Sequence, residues 1–272
     1  MQGRLSPPEG DEIQAFPRAR WREEFEAARE AGLSGIEWIY DVHGEDVNPL
    51  ATDDGLTTMA ALADRSGVEV DSLCADWFME RRLACGDEAT RAQAAERLKW
   101  LLERCGGAGI RRVVLPFVDA SSVAPDEARA RAREAIAAGL PAAERADVEL
   151  HLETDLPPAA FARFLEELPS PRVKVNYDTG NSASLGYDPV EEIAAYGERI
   201  GSVHVKDRVR GGATVPLGSG DADLSRTFRV LRELGYDGDL ILQVARSEPG
   251  GEVEWARRNR ELVERTWAEA SP

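Results

Sequence analysis

Short runs of clustered or alternating apolar residues recur along the chain, separated by longer Ala-, Glu- and Arg-rich stretches of helical period. The strand-like runs are Gln2–Leu5, Gly35–Ile39, Glu69–Leu73, Arg112–Phe117, Val148–Leu152, Arg172–Tyr177, Gly201–Val205 and Asp239–Val244. Helices are predicted over Trp21–Ala31, Thr57–Ser66, Glu88–Cys105, Asp126–Ala146, Pro158–Leu168, Pro189–Arg199, Leu224–Leu234 and Val253–Glu269. Pro189 stands near a helix start, and Gly32, Gly67 and Gly235 follow helix ends, where a left-handed residue is needed. Eight such units in 272 residues give 34 residues each, the size expected of an α/β fold of the (β/α)8 TIM-barrel type. No linker or low-complexity run interrupts the pattern, so residues 1–272 are expected to form a single TIM-barrel domain. An open doubly wound sheet would carry a Gly-rich phosphate turn after an early strand. The one Gly-rich cluster, Gly106-Gly107-Ala108-Gly109, precedes a strand and reads as a helix-to-strand turn. Almost nothing stands before Gly3-Arg4-Leu5, so either the first strand is short or the natural start lies upstream.

Composition narrows the partners. The chain has 33 Lys and Arg against 50 Asp and Glu, a net charge of −17, and its field repels polyanions. Nucleic acid and anionic membrane surfaces are therefore excluded as default partners. No run approaches the ~18 apolar residues of a membrane span, and the start lacks the apolar segment of a signal peptide, so a cytoplasmic location is expected. Cys74, Cys85 and Cys105 are odd in number and lack a CxxC pair, which fits free thiols, packed as small hydrophobes, in a reducing compartment.

Residues two apart in a strand share a face. In the run from Val148 to Glu153, the apolar Val148, Leu150 and Leu152 form the helix-facing side, leaving Glu149, His151 and Glu153 directed into the barrel, with Glu153 at the C-terminal mouth. The same parity brings Asp178, His204 and Gln243 to the mouth from the next three strands. Two carboxylates, an imidazole and an amide oxygen at the face where barrels place active sites suit a divalent cation such as Mn2+, Mg2+, Co2+ or Zn2+. Gln243 reads either as a fourth ligand or as a hydrogen-bonding neighbour. Lys206 shares the face of His204 and is expected to touch substrate near a developing oxyanion, or else to pair with Asp178 or Asp207. Arg210 and Arg246, on loops after the last two strands, are candidate bidentate donors to a phosphate or carboxylate. Glu37, His43, Asn181 and Asp207 complete the expected substrate contacts, and Trp38, Trp77, Phe78 and Phe117 either wall the pocket or pack in the core.

With these motifs the chain resembles, over nearly its whole length, the sugar phosphate isomerase/epimerase family of xylose-isomerase-like barrels. The likeness runs from Met1-Gln2-Gly3-Arg4-Leu5 and Gly35-Ile36-Glu37-Trp38 through His151-Leu152-Glu153. It continues through Asn176-Tyr177-Asp178-Thr179-Gly180-Asn181, Ser202-Val203-His204-Val205-Lys206-Asp207 and Gly218-Ser219-Gly220-Asp221-Ala222-Asp223. The resemblance implies that Glu153, Asp178 and His204 hold a metal, with Gln243 at the fourth position, where a glutamate is common. In the family's epimerases the two strand-end glutamates exchange protons on opposite faces of the sugar. Gln243 cannot accept a proton, which leaves Glu153 as a single base for an aldose–ketose shift unless Glu37, Asp76 or a metal-bound water supplies the second acid. Asn181 likewise stands where the epimerases usually carry a histidine.

These features lead to a metal-dependent isomerase or epimerase of a small polyhydroxylated sugar or sugar phosphate, acting through an enediolate, with Glu153 and Lys206 as its catalytic residues. A metal-dependent dehydratase or lyase on a sugar- or inosose-like substrate is the alternative that Gln243 and Asn181 favour, and a non-catalytic sugar-binding barrel is the third reading. Abasic-site endonucleases of the same fold use about three metals and a larger histidine set. This chain has only His43, His151 and His204, and its charge opposes DNA. Exposed barrel helices leave a homo-oligomer open.

Overall fold

The predicted helices form with the caps their sequences carry. Asp87, Asp188 and Asp223 each accept a backbone N–H at the start of a helix, from Thr90, Val190 and Arg226. Gly32, Gly67 and Gly235 take the left-handed conformation at the ends of Glu23–Ala31, Asp53–Ser66 and Leu224–Leu234, where a Cβ would be strained. The computed structural model describes residues 1–9 and 14–270.

Strands β1 (Gly35–Ile39), β2 (Glu69–Cys74), β3 (Arg112–Phe117), β4 (Glu149–Thr154), β5 (Val173–Asp178) and β6 (Ile200–Val205) are followed by the two-residue strands β7 (Asp207–Arg208) and β8 (Thr214–Val215), and by β9 (Leu240–Leu242). β7 and β8 form a small antiparallel hairpin, whereas the other seven make one parallel sheet in the order β1-β2-β3-β4-β5-β6-β9. The architecture is a nearly closed barrel ringed by helices. The expected first strand, Gln2–Leu5, is reduced to one residue. Gln2 bridges to Glu37 in parallel and donates its N–H to Leu242 O at 3.0 Å, spanning the gap between β1 and β9. Gly3 and Arg4 then turn to positive φ (51° and 65°), which takes the chain out of the extended conformation and ends pairing there.

The helix-facing sides of the central strands, including Val148, Leu150, Leu152, Val173, Val175, Val203 and Val205, are fully buried, each contributing roughly 1.5–3 kcal/mol. The cluster read as a turn at Gly106 and Gly107 is the last part of the helix Glu88–Ala108. A Cβ on Gly106 would lie 2.8 Å from Ala146 Cβ, so glycine here lets the helices Glu88–Ala108 and Asp126–Ala146 approach. Two short helices, Trp77–Glu80 and Thr179–Leu185, were not predicted, being too brief to show a period. Among the described residues no helix is long and apolar enough to cross a membrane.

Candidate metal and substrate site

Parallel register assembles the site from residues far apart in sequence. Asp178, the last residue of β5, is the register partner of His204 on β6, and Glu153 stands near the end of β4, next to β5. One donor atom from each of Glu153, Asp178 and His204 lies within 4.8 Å of the others, and all three residues are buried.

Each side chain is held by hydrogen bonds with its neighbours. Asp178 caps the helix Thr179–Leu185, its Oδ1 accepting the N–H groups of Gly180 (2.9 Å) and Asn181 (2.8 Å). Glu153 accepts from Asn181 Nδ2 on Oε1 (2.6 Å) and from Asn176 Nδ2 on Oε2 (2.8 Å). His204 donates through Nε2 to Glu37 Oε1 (2.7 Å), which turns Nδ1 toward Glu153 (3.3 Å) and Asp178 (3.8 Å). Glu37 in turn accepts from Ser72 Oγ (2.7 Å). Burial opposes the imidazolium, yet Glu37 and Glu153 outweigh it and push His204 up to about 10. Burial likewise opposes ionisation of Glu37 and Glu153, but His204 overcomes it and holds both below the ordinary glutamate value. The constellation therefore favours positive charge at its centre. Asp178 Oδ2 is buried without a properly directed hydrogen bond among the described residues, although Lys206 Nζ lies 2.8 Å away. An anionic, pre-oriented O,O,N set with a buried carboxylate oxygen to spare fits a divalent cation.

Lys206 is fixed between two of the expected ligands. Its Nζ pairs with Asp178 and donates to Gln243 Oε1, while its backbone N–H and C=O are clamped by Thr179 Oγ1 at 3.0 and 2.6 Å. Gln243 follows β9 and lines the cleft, as a hydrogen-bond partner of Lys206. Below the site a polar column continues through the barrel: Asn176 accepts from Ser202 Oγ (2.7 Å), which meets His151 Nδ1 (2.7 Å), whose Nε2 faces Glu149 (3.0 Å).

A cleft of about 600 Å3 opens above these groups. Glu153, Asn181, Lys206, Gln243 and His43 line it. Other candidates are placed elsewhere. Glu37 is buried against the imidazole, with its two carboxylate oxygens bonded to His204 and Ser72, and does not line the cleft. Asp207 is turned into the loop that follows, accepting the N–H groups of Gly218 (2.8 Å), Gly220 (2.9 Å) and Ala222 (3.0 Å). Arg210 is exposed beside Gly186, and Arg246 donates to Ser6 O; neither lines the cleft. Trp38, Trp77, Phe78 and Phe117 are core residues, Trp38 packing against Phe16, Trp21 and Phe25. Replacing Asp207 with alanine is expected to destabilise the protein by roughly 1–2 kcal/mol in denaturant unfolding, because three part-buried N–H groups of the loop lose a charged acceptor. Unchanged stability with a raised KM would return Asp207 to the substrate.

Four cleft residues went unnoticed as contacts or were underweighted in the sequence: Arg4, Gln14, Asp76 and Arg208. Gln14 accepts from Arg4 Nη2 (3.1 Å) and donates to Asp76, joining two loops at opposite ends of the N-terminal third. Burial, opposed by the hydrogen bonds from Gln14 and Cys74, raises Asp76 to about 6. For Arg4, its place at the end of the first strand was the available signal.

Residues 25–266 match the family model described as xylose isomerase-like TIM barrel, and the chain belongs to that family. It is 29% identical over 252 residues, 87% of each chain, to L-ribulose-5-phosphate 3-epimerase UlaE of Salmonella heidelberg (strain SL476). Among solved structures, an L-ribulose 3-epimerase superposes with a TM-score of 0.77 at 19% identity, covering 99% of this chain and 94% of the other. A xylose isomerase-like TIM barrel protein from Mycobacterium smegmatis, in complex with magnesium, has a TM-score of 0.72 at 18% identity over 98% and 94%. These two likenesses establish the fold.

Proposed function

We propose that this protein is a divalent-metal-dependent isomerase or epimerase of a small sugar or sugar phosphate. The observation that carries the reading is the buried Glu153–Asp178–His204 set, of which Glu153 lines the cleft. The epimerase names of the relatives and the magnesium complex of the Mycobacterium barrel support it. A bound cation would polarise the substrate's carbonyl and neighbouring hydroxyl oxygens, acidifying the intervening C–H.

Glu153 is the base. Its pKa, held below the ordinary value, keeps it ionised, and Asn176 and Asn181 aim its oxygens. Lys206 places positive charge beside the oxygen that gains electron density as the enediolate forms. Gln243 cannot return the proton, so the second acid comes from Asp76, a cleft carboxyl whose pKa of about 6 suits both protonation states near neutrality. Epimerisation then has Glu153 working on one face and Asp76 on the other; an aldose–ketose shift needs Glu153 alone.

The experiment is incubation of the magnesium-loaded protein with ketoses and their phosphates in D2O, followed by NMR. Deuterium should enter at the carbon beside the carbonyl. Asp76→Asn is expected to slow epimer formation by about 10^2- to 10^4-fold while proton–deuterium exchange persists. No deuterium uptake from any substrate would overturn the reading. Loss of water from the substrate after uptake would select the dehydratase, the alternative that the amides Gln243 and Asn181 favour.

A further inference from the structure

Among the described residues, two arginines in the cleft donate only to neutral oxygens. Arg4 is 6% exposed and lines the cleft together with Gln243 and Lys206. Its Nη1 donates to the backbone oxygen (3.1 Å) and Oε1 (3.2 Å) of Gln2, and its Nη2 to Gln14 Oε1 (3.1 Å). Its Nε has no hydrogen-bond partner among the described residues. Arg208 donates from Nη1 to Asn181 Oδ1 (2.8 Å), and from Nε (3.1 Å) and Nη2 (2.8 Å) to Gly212 O. Asp76 is the first acid whose charge Arg4 feels, but the Gln14 amide stands between them, accepting from one and donating to the other.

A buried guanidinium without a carboxylate is costly, by several kcal/mol, and it stays charged: burial and then Arg246 lower Arg4 only to about 10. The chain carries 50 acidic against 33 basic residues, so counter-charges are plentiful, yet among the described residues none pairs with these two arginines. Arg4 also adopts φ 65°, a left-handed conformation that costs a non-glycine residue about 1–2 kcal/mol and recurs where function demands it. The guanidinium fork suits a planar carboxylate or a phosphate.

We propose that the substrate carries an oxyanion, a carboxylate or phosphate group, and that Arg4, seconded by Arg208, recognises it. The inference rests on the isomerase reading for the word substrate, but its test does not. Titration calorimetry on the full-length protein, with magnesium and again after chelation, would use inorganic phosphate, D-gluconate and, as the neutral probe, D-sorbitol. At least one anion should bind more than tenfold tighter than sorbitol, and Arg4→Met should cut that ratio at least tenfold. Arg4→Lys and Arg208→Met should cut it less, and they carry the test should Arg4→Met fail to fold. Preference for phosphate over gluconate identifies a phosphoryl group, and the reverse a carboxylate. Sorbitol binding as tightly as both anions, or an anion-to-sorbitol ratio untouched by the arginine variants, would overturn the proposal. Arg4-dependent anion binding with no deuterium uptake from any sugar would remove the isomerase reading and leave the anion site. Uptake from neutral ketoses with no Arg4 dependence would do the opposite.

Discussion

Glu153→Gln should lower deuterium exchange into substrate by about a thousandfold or more and strip most of the divalent ion from the purified protein. The substitution removes the proposed base, worth about 10^2- to 10^4-fold by itself, and one of the two carboxylate charges of the proposed ligand set. It also misfits locally. Oε1 and Oε2 each accept an amide N–H, from Asn181 and Asn176, so the NH2 of a glutamine must face one of those donors and leave a buried group unsatisfied. Metal analysis beside the NMR exchange rate checks both parts. Glu149→Gln is the control, because Glu149 lies at the other end of the same strand, against His151, and its change should leave exchange within a few-fold. A Glu153→Gln enzyme retaining a tenth of the exchange rate would remove Glu153 from the base role.

The second large effect is on stability, in chelator. His204 and Glu37 form a buried pair 2.7 Å apart, and removing one partner of such a pair costs roughly 3–5 kcal/mol. Glu37→Gln should therefore unfold at markedly lower denaturant concentration than the parent. The pair also has a pH signature. His204 goes from an ordinary value of 6.5 to about 10 on folding, so its contribution is complete below about 6.5 and is lost as the pH rises toward 10. Glu37 is shifted the other way, so its contribution is present above about 4.5 and is lost only when the pH falls through its lowered folded value. Glu24, raised by burial to about 7, and Asp76, raised to about 6, add a slope of the same sign as His204. The decisive comparison is the difference between parent and Glu37→Gln, which should shrink between pH 6.5 and 10. A difference constant across that range would mean the imidazolium is not what Glu37 stabilises. Saturating divalent ion should flatten the parent's slope, because a cation displaces the proton from Nδ1.

Much of the fold was legible because it is local. Strand parity, helix caps and terminating glycines act within a few residues, so seven of the eight strand runs and all eight longer helices stand where the pattern placed them, with ends moved by a few residues. The same parity brought Glu153, Asp178 and His204 to one mouth, since inward direction at a strand end needs only the alternation of faces and the parallel architecture. The first strand failed because Gly3 and Arg4 turn to positive φ, a choice that depends on how the chain leaves the gap between β1 and β9.

The amino-acid sequence by itself determined the barrel, its direction and the residues at its C-terminal face, because periodicity and capping are short-range properties. Only the tertiary structure decided what each of those residues touches. Glu37 meets His204 across 167 positions, Gln14 meets Asp76 across 62, and Asp207 turns from the cleft to hold a loop through three backbone N–H groups. Which inward side chain meets substrate and which props up a neighbour is set by the closing of the ring, where strands distant in the chain become adjacent and compete for the same few hydrogen-bond donors.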